Sequence, residues 1–296
     1  MNFMGPKKKW WFIISGIIIL PGILALIFWG LNWGIDFKGG TMLELKIQNP
    51  NTKVEEVKDT LKPLNLPDLS VVSTGQSDYL IKTAPIEQDS INKIKEEVKK
   101  KYGDVQEIRY ENVGPVVGKD LKNKAIWAIC LACLGIILYI AFAFRNIPKP
   151  YSSFKFGLCA IFALVHDVLV VLGTFSIIGH FLGYEVDAYF VTAILTLLGF
   201  SVHDTIVVFD RIRENLKKLP GMNFESVANE SLIQTLARSI NTSLTVIFTL
   251  LALLLLGGES IKPFVLALII GITTGTYSSI FNATPLLVLW ERRAKS

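Results

Sequence analysis

Charge is scarce in this chain. Of its 296 residues 19% are Asp, Glu, Lys or Arg, while 51% are hydrophobic, against a usual quarter or so charged. With a mean hydropathy of +0.46, that balance suits an integral membrane protein carrying one polar domain. Cysteine is scarce too. Cys130, Cys133 and Cys159 all fall in apolar segments, so no disulfide framework is suggested. The Cys130-Leu-Ala-Cys133 spacing matches a redox or metal motif, but it sits in an apolar helix without further ligands and reads as small apolar packing. There are three histidines and no GxSxG, Walker or HExxH motif. The expectation is a protein that is not an enzyme, with no cofactor and no metal. The net charge of +5 lies in short basic blocks beside apolar runs, which is no nucleic-acid footprint.

What the chain does have is long apolar runs. The first, from Trp10 to about Trp29, follows Lys7, Lys8 and Lys9 and is flanked by Trp11 and Trp33. About 20 such residues span roughly 30 Å of hydrocarbon, and no small-residue cleavage site follows, so it reads as an uncleaved membrane helix. Five more spans are expected at about Ala125–Phe144, Phe156–Ile178, Ala188–Phe209, Ser239–Leu256 and Phe264–Trp290. Pro285 should kink the last. Phe224 to Ala237 is only moderately apolar and reads as an amphipathic helix at the interface.

Between the first two spans the chain is soluble in character. Gly39-Gly40 makes a tight turn into an alternating strand, Thr41–Ile47. Thr52–Leu64 reads as a helix capped by Thr52. Strands at Leu69–Thr74 and Tyr79–Thr83 follow, joined by a Gly75-Gln76-Ser77-Asp78 turn. Glu87–Tyr102 is an amphipathic helix stopped by Gly103, and Val105–Val113 is the last strand. This order is the ferredoxin-like split unit. The expected division is 1–33 for the N-terminus and first membrane helix, 34–121 for the ferredoxin-like domain, and 122–296 for a five-helix membrane domain.

Basic residues set the orientation. Lys7–Lys9, Arg145 with Lys149 and Lys155, Arg211–Lys218, and Arg292-Arg293-Lys295 share one side, while the opposite short loops hold only Lys262. Both termini are therefore expected in the cytoplasm and the ferredoxin-like domain outside it.

Inside the membrane the sequence repeats itself briefly. Val-His-Asp-Val-Leu-Val-Val at 165–171 is echoed by Val-His-Asp-Thr-Ile-Val-Val at 202–208. Asp167 falls near the centre of the third span and Asp204 in the fourth. A carboxylate there costs roughly 2.5–3.5 kcal/mol or more, which marks a functional site, although polar residues also pin helices together. The fifth span offers Thr235, Arg238, Thr242, Thr245 and Thr249 on one face. We therefore expect Asp204 to pair with Arg238, so that making and breaking the pair couples protonation to movement. His203 reads either as a relay member or as a neutral packing residue. Gly271, Gly275, Ser278 and Asn282 share a small-residue face of the sixth span that permits close helix contact, and packing alone explains the glycines. His180 is placed in an outer loop.

Four motifs carry a family resemblance: GIDFKGGTMLEL (Gly34, Asp36, Phe37, Gly39, Gly40), VGPVVGKDL (Gly114, Pro115, Gly118), LLGFSVHDTIVVFDRIREN, and LIQTLARSINTSLT. In this order the chain closely resembles the SecF family, the smaller membrane subunits of the SecD–SecF complex of bacterial protein export. The resemblance implies a membrane α-helical fold, half of an RND-superfamily transporter, with one extracytoplasmic ferredoxin-like α+β domain between the first two of six helices. It implies a multi-pass protein of the bacterial cytoplasmic membrane that uses the proton gradient to draw unfolded preproteins from the SecYEG channel served by SecA. Implied partners are SecD, YajC, YidC and membrane lipids, with no nucleic acid. It also implies functional charges at Asp204 and Arg238. The family commonly has Asn where this chain has His203, which leaves the ion and its path open. A non-conducting scaffold, or an RND-like exporter of lipids or small molecules, are the competing readings.

Overall fold

The computed structural model describes residues 3–4, 8–47, 52–75, 77–145, 147–148 and 150–293. Lys7, Gln76, Lys149 and Lys295, and the side chains of Lys8, Lys9 and Arg293, lie outside the described residues. In chain order the elements are α1 (Lys8–Phe28), the one-turn α2 (Ile35–Lys38), β1 (Gly40–Ile47), α3 (Val54–Leu61), β2 (Ser70–Ser73), β3 (Asp78–Thr83), α4 (Gln88–Tyr102) and β4 (Val105–Val113). There follow α5 (Pro115–Ala143), α6 (Ser153–Leu182), α7 (Ala188–Lys218), α8 (Phe224–Leu256), α9 (Lys262–Ser278) and α10 (Thr284–Arg293). Among the described residues six helices, counting α9 and α10 as one, are long and apolar enough to cross a membrane.

The strands form one antiparallel sheet in the order β2-β3-β1-β4. With α3 and α4 on one face this is the ferredoxin-like arrangement. Period-two alternation builds it: Tyr79, Ile81 and Thr83 of β3 are buried, while Asp78, Leu80 and Lys82 turn the other way. The buried set joins Leu43, Leu45 and Ile47 of β1 to Val57, Leu61, Ile91, Ile94 and Val98 of the helices. Burying each such side chain stabilises the domain by about 1.5–3 kcal/mol. This core is separate from that of the helical bundle.

In the bundle α6, α7 and the α9–α10 span are half-buried, whereas α1, α5 and α8 leave most of their surface open. From Ile126 onward the exposed surface of α5 is largely apolar, with Trp127, Leu131, Leu138 and Phe142 pointing outward, as a lipid-facing helix requires. The α1–α6 contact is made by glycines. A Cβ on Gly173 would stand 2.5 Å from Gly22 Cα, and Ser176 Oγ donates to Gly30 O at 2.6 Å further along.

Four local expectations change. Thr52 is not the cap of α3: Lys53 occupies that position without a side-chain bond, and Thr52 gives its carbonyl to the Tyr79 hydroxyl instead. The segment 224–237 is no separate interfacial helix. No Gly or Pro interrupts it, Asn223 caps it through Ser226 N at 2.8 Å, and it runs straight into the fifth span as α8. The second span begins at Pro115, because Gly114 and Pro115 start the helix. His180 lies in the last turn of α6, stacked on Trp29 at 4.3 Å. The last span is interrupted near Pro285 by a π-helical turn, Ser279–Ala283. Proline lacks the N–H that regular bonding would need there.

Candidate functional site

Two carboxylates lie at the centre of the bundle. Asp167 on α6 is fully buried. Its Oδ2 accepts from Ser201 Oγ of α7 at 2.5 Å and from Ser278 Oγ of α9 at 2.8 Å. Its Oδ1 lies 2.9 Å from His166 Nδ1. The three helices can meet so closely because Gly275 faces Ser201: a Cβ there would stand 3.0 Å from Ser201 Cβ. One turn along α7, Asp204 is also buried. Thr276 Oγ1 of α9 donates to its Oδ2 at 2.9 Å, and Ser243 of α8 lies 2.5 Å from the same hydroxyl. Hydroxyls can turn to donate or accept, so both carboxylates sit among partners that adapt to either protonation state. Among the described residues no group of three or more His, Cys, Asp or Glu is placed to hold a metal ion.

The expected Asp204–Arg238 pair does not form in this chain. Arg238 is exposed, and among the described residues no ion pair joins it to Asp204. The reason is rotation. Ser239 and Ser243 take the inward face of α8, and Arg238, one residue or about 100° away, points out. The predicted threonine stripe divides in the same way. Thr235 is buried, whereas Thr242, Thr245 and Thr249 are exposed and bond back to carbonyls of their own helix.

His203 is likewise exposed, on an outward stripe of α7 with Thr192, Thr196, Gly199 and Asp210. Arg211 of α7 donates to Gln234 of α8 at 2.5 Å, a polar tie between the two helices. Each helix thus exposes polar side chains, His203 on α7 and Arg238 on α8 among them, on segments long and apolar enough to cross a membrane. Sequence reasoning missed Ser201, Ser243, Thr276 and the bonding role of Ser278. Only Ser201 carried a signal, a hydroxyl one turn from Asp204 and facing Gly275.

The glycine motifs meet at the other end of α7. Gly39 has φ +80°, a left-handed conformation that side chains rarely adopt. Gly118 packs on the same turn: a Cβ there would stand 2.9 Å from Gly39 N and 3.2 Å from Phe37 C. Gly40 and Pro115 complete this joint, with a Cβ on Gly39 reaching Pro115 Cα at 2.9 Å, while Phe37 is buried against Trp33. Gly34 N donates to Val186 O at 2.8 Å, and Val186 N to Asn32 O at 2.7 Å. Asp36 Oδ2 accepts from Ala188 N at 2.8 Å, and Asp187 caps α7 through Phe190 N at 2.8 Å.

Burial raises the Asp187 carboxyl above its ordinary range, opposed by the Phe190 N–H and reinforced by the charges of Asp36 and Glu185. A carboxyl raised on folding binds more protons in the folded state between its unfolded and folded values. Its contribution therefore favours folding as pH falls through that window and is lost as pH rises through it. Asp187→Asn keeps the cap acceptor and removes the charge. Thermal melts of both proteins should show the variant gaining less stability on acidification than the parent; parallel profiles would refute this origin of the shift.

The comparisons with known proteins agree with this architecture. Residues 93–293 match the family described as protein export membrane protein SecD/SecF, C-terminal, and residues 25–50 match the SecD/SecF GG motif. The protein translocase subunit SecF of Thermobaculum terrenum is 49% identical over 95% of this chain and 92% of its own length. That of Anaerolinea thermophila is 42% identical over 98% and 94%. The crystal structure of SecDF, a translocon-associated membrane protein from Thermus thermophilus, superposes with a TM-score of 0.86 at 33% identity, over 99% of this chain and 39% of that one. This chain therefore corresponds in length to about two-fifths of the SecDF polypeptide. With a family match over most of its residues and near full-length relatives above 40% identity, the chain belongs to the SecD/SecF family of protein-export membrane proteins.

Proposed function

We propose that this chain is the SecF-type half of an ion-driven translocase auxiliary, completed in the membrane by a SecD-type half. The observation that carries this reading is the exposure of polar side chains on α7 and α8. Exposed Arg238 and His203 on membrane-crossing helices are costly against hydrocarbon and call for polar partners or water. A second set of helices laid against α7 and α8 would supply them. The length relation to SecDF supports the same division into halves.

In this reading Asp204 takes up and releases a proton, with Thr276 and Ser243 turning to follow it. Asp167, with His166, is the second carboxylate of the path. His203 and Arg238 act across the interface with the partner half. The work done is the drawing of unfolded preproteins from SecYEG, fed by SecA, with YajC and YidC as neighbours. The protein lies in the bacterial cytoplasmic membrane with both termini in the cytoplasm, and residues 34–121 act outside it.

Two measurements test the arrangement. A cysteine at position 203 should cross-link to a cysteine on a membrane helix of SecD in native vesicles; cross-linking only to lipid-facing probes would remove the half-transporter reading. Cysteines near Lys95 and Glu185 should label from outside the cell, and those near Lys149 and Lys217 should not. Labelling of positions 95 and 149 from the same side would end the orientation.

A further inference from the structure

Buried polar atoms are ordinarily hydrogen-bonded, and those that are not call for an explanation. Among the described residues His166 Nε2, Asn282 Nδ2 and Trp11 Nε1 are buried without a hydrogen-bond partner. They lie on α6, the last span and α1, where these three helices meet. Ser15 Oγ of α1 donates to Asn282 Oδ1 at 2.8 Å and lies 3.2 Å from the Tyr277 hydroxyl. That hydroxyl also donates to Trp11 O at 3.1 Å. The Tyr277 ring is stacked beside the His166 imidazole, with centroids 6.3 Å apart, and His166 Nδ1 is the nitrogen that meets Asp167. Ser15, His166 and Asn282 are 6%, 8% and 8% exposed.

The π-helical turn Ser279–Ala283 shapes this group. Tyr277 and Asn282 stand five residues apart, which a regular α-helix would set about 140° around its axis. Bonding with a five-residue period narrows that angle, and both side chains reach Ser15. Ser278 is left to face Asp167. The last span thus serves the carboxylate with one residue and the α1 contact with its neighbours.

We infer that His166, Tyr277, Ser15 and Asn282 enclose an internal water site, through which His166 exchanges protons with the end of the bundle where α1 begins. This rests on the ion-coupled reading above and gives α1 a part in it. A buried water takes about three hydrogen bonds from polar groups otherwise left unmet. With Nδ1–H donating to Asp167, the imidazole Nε2 is an acceptor for that water, and the Asn282 amide is a donor to it. Nε2 takes a proton from the water, and the imidazolium so formed stays against the Asp167 carboxylate. The water is made good through the hydroxyls of Tyr277 and Ser15, each giving up its own hydrogen as it accepts the next. The proton leaves by the same steps reversed. The Tyr277 hydrogen has two acceptors to turn between, Trp11 O and Ser15 Oγ, whereas Asn282 holds the water and carries no proton. Ser15 lies seven residues from Lys8 at the start of α1, about 10 Å along the helix. In the orientation proposed above, that end is cytoplasmic.

The test uses the full chain with SecD in vesicles and has two readouts. Hydroxyl radicals made by X-ray radiolysis oxidise side chains that touch bound water. His166 and Tyr277 should be labelled in the parent, while Phe156 and Phe175, fully buried in the apolar core, should not. Proton uptake is then followed after an imposed pH step, at equal assembly with SecD. Tyr277→Phe and Ser15→Ala, which each remove one hydroxyl, should slow it by about tenfold or more. Ser15→Thr should recover part of the rate, and Asn282→Leu, close in size but without the amide, should lose the labelling of His166. An unlabelled His166 in the parent would overturn the inference, whatever the variants do. Labelling with parental uptake in Tyr277→Phe and Ser15→Ala would overturn it too, leaving a water that only fills space. If the parent takes up no protons, the ion-coupled reading fails first and the exchange falls with it.

Discussion

Asp204→Asn is expected to reduce gradient-dependent preprotein export to the level seen without a gradient, while assembly with SecD survives. The substitution preserves shape, and its amide oxygen can still accept from Thr276 Oγ1, which stands 2.9 Å from the native Oδ2. What it removes is the site of proton exchange. The packing between α7 and α9 should therefore persist, because Gly271 still meets Leu197 and Gly275 still meets Ser201. Asp204→Glu should retain part of the activity, since it keeps the carboxyl but crowds a buried site. Arg238→Lys should produce a partial defect by keeping charge and losing the planar fork. With Arg238 turned outward, that defect should appear mainly when SecD is present. If Asp204→Asn assembled normally and exported at the parental, gradient-dependent rate, the scaffold reading would take the place of the coupling role.

Gly173→Val should separate α1 from α6. Even the Cβ would lie 2.5 Å from Gly22 Cα and 2.9 Å from Gly22 C, closer than side-chain carbons approach backbone. Neither neighbour is a flexible side-chain end, so one helix has to move. Overpacking of this kind typically costs about 1–3 kcal/mol, and occasionally more where backbone must shift. The move would also strain the Ser176–Gly30 bond and the contacts of Ser15 with Asn282 and Tyr277, which tie α1 to the last span. Thermal unfolding in detergent should fall by several degrees, and labels on α1 and α6 should move apart. An unchanged melting profile would mean that α1 is held elsewhere. Gly199→Ala makes a useful control, since nothing lies within 4 Å of a Cβ at that position.

The six spans and the sheet were legible in the sequence because each rests on a local pattern. Alternation in Tyr79–Thr83 marks a half-buried strand, and runs such as that of α5 are set by the thickness of hydrocarbon. The Asp204 site was legible only by half. A lone carboxylate in an apolar run announces itself, but its partner depends on which neighbouring helix turns which face toward it. Arg238 carried the obvious charge, yet the inward position belonged to Ser243, one hydroxyl among many. Ser278 was read as packing because a hydroxyl on a small-residue face does both jobs. The glycine motifs were recognised by resemblance, while their physical reason, the grip of Gly118 on the Gly39 turn, needs contact across 79 residues of chain. No local pattern encodes such a contact.

The most direct test of the central claim is proton uptake by sealed vesicles containing this chain and SecD, followed with an internal pH-sensitive dye after an imposed pH step. The account predicts uptake that is fast with the parent and absent with Asp204→Asn at equal reconstitution. Equal uptake in the two preparations would contradict it.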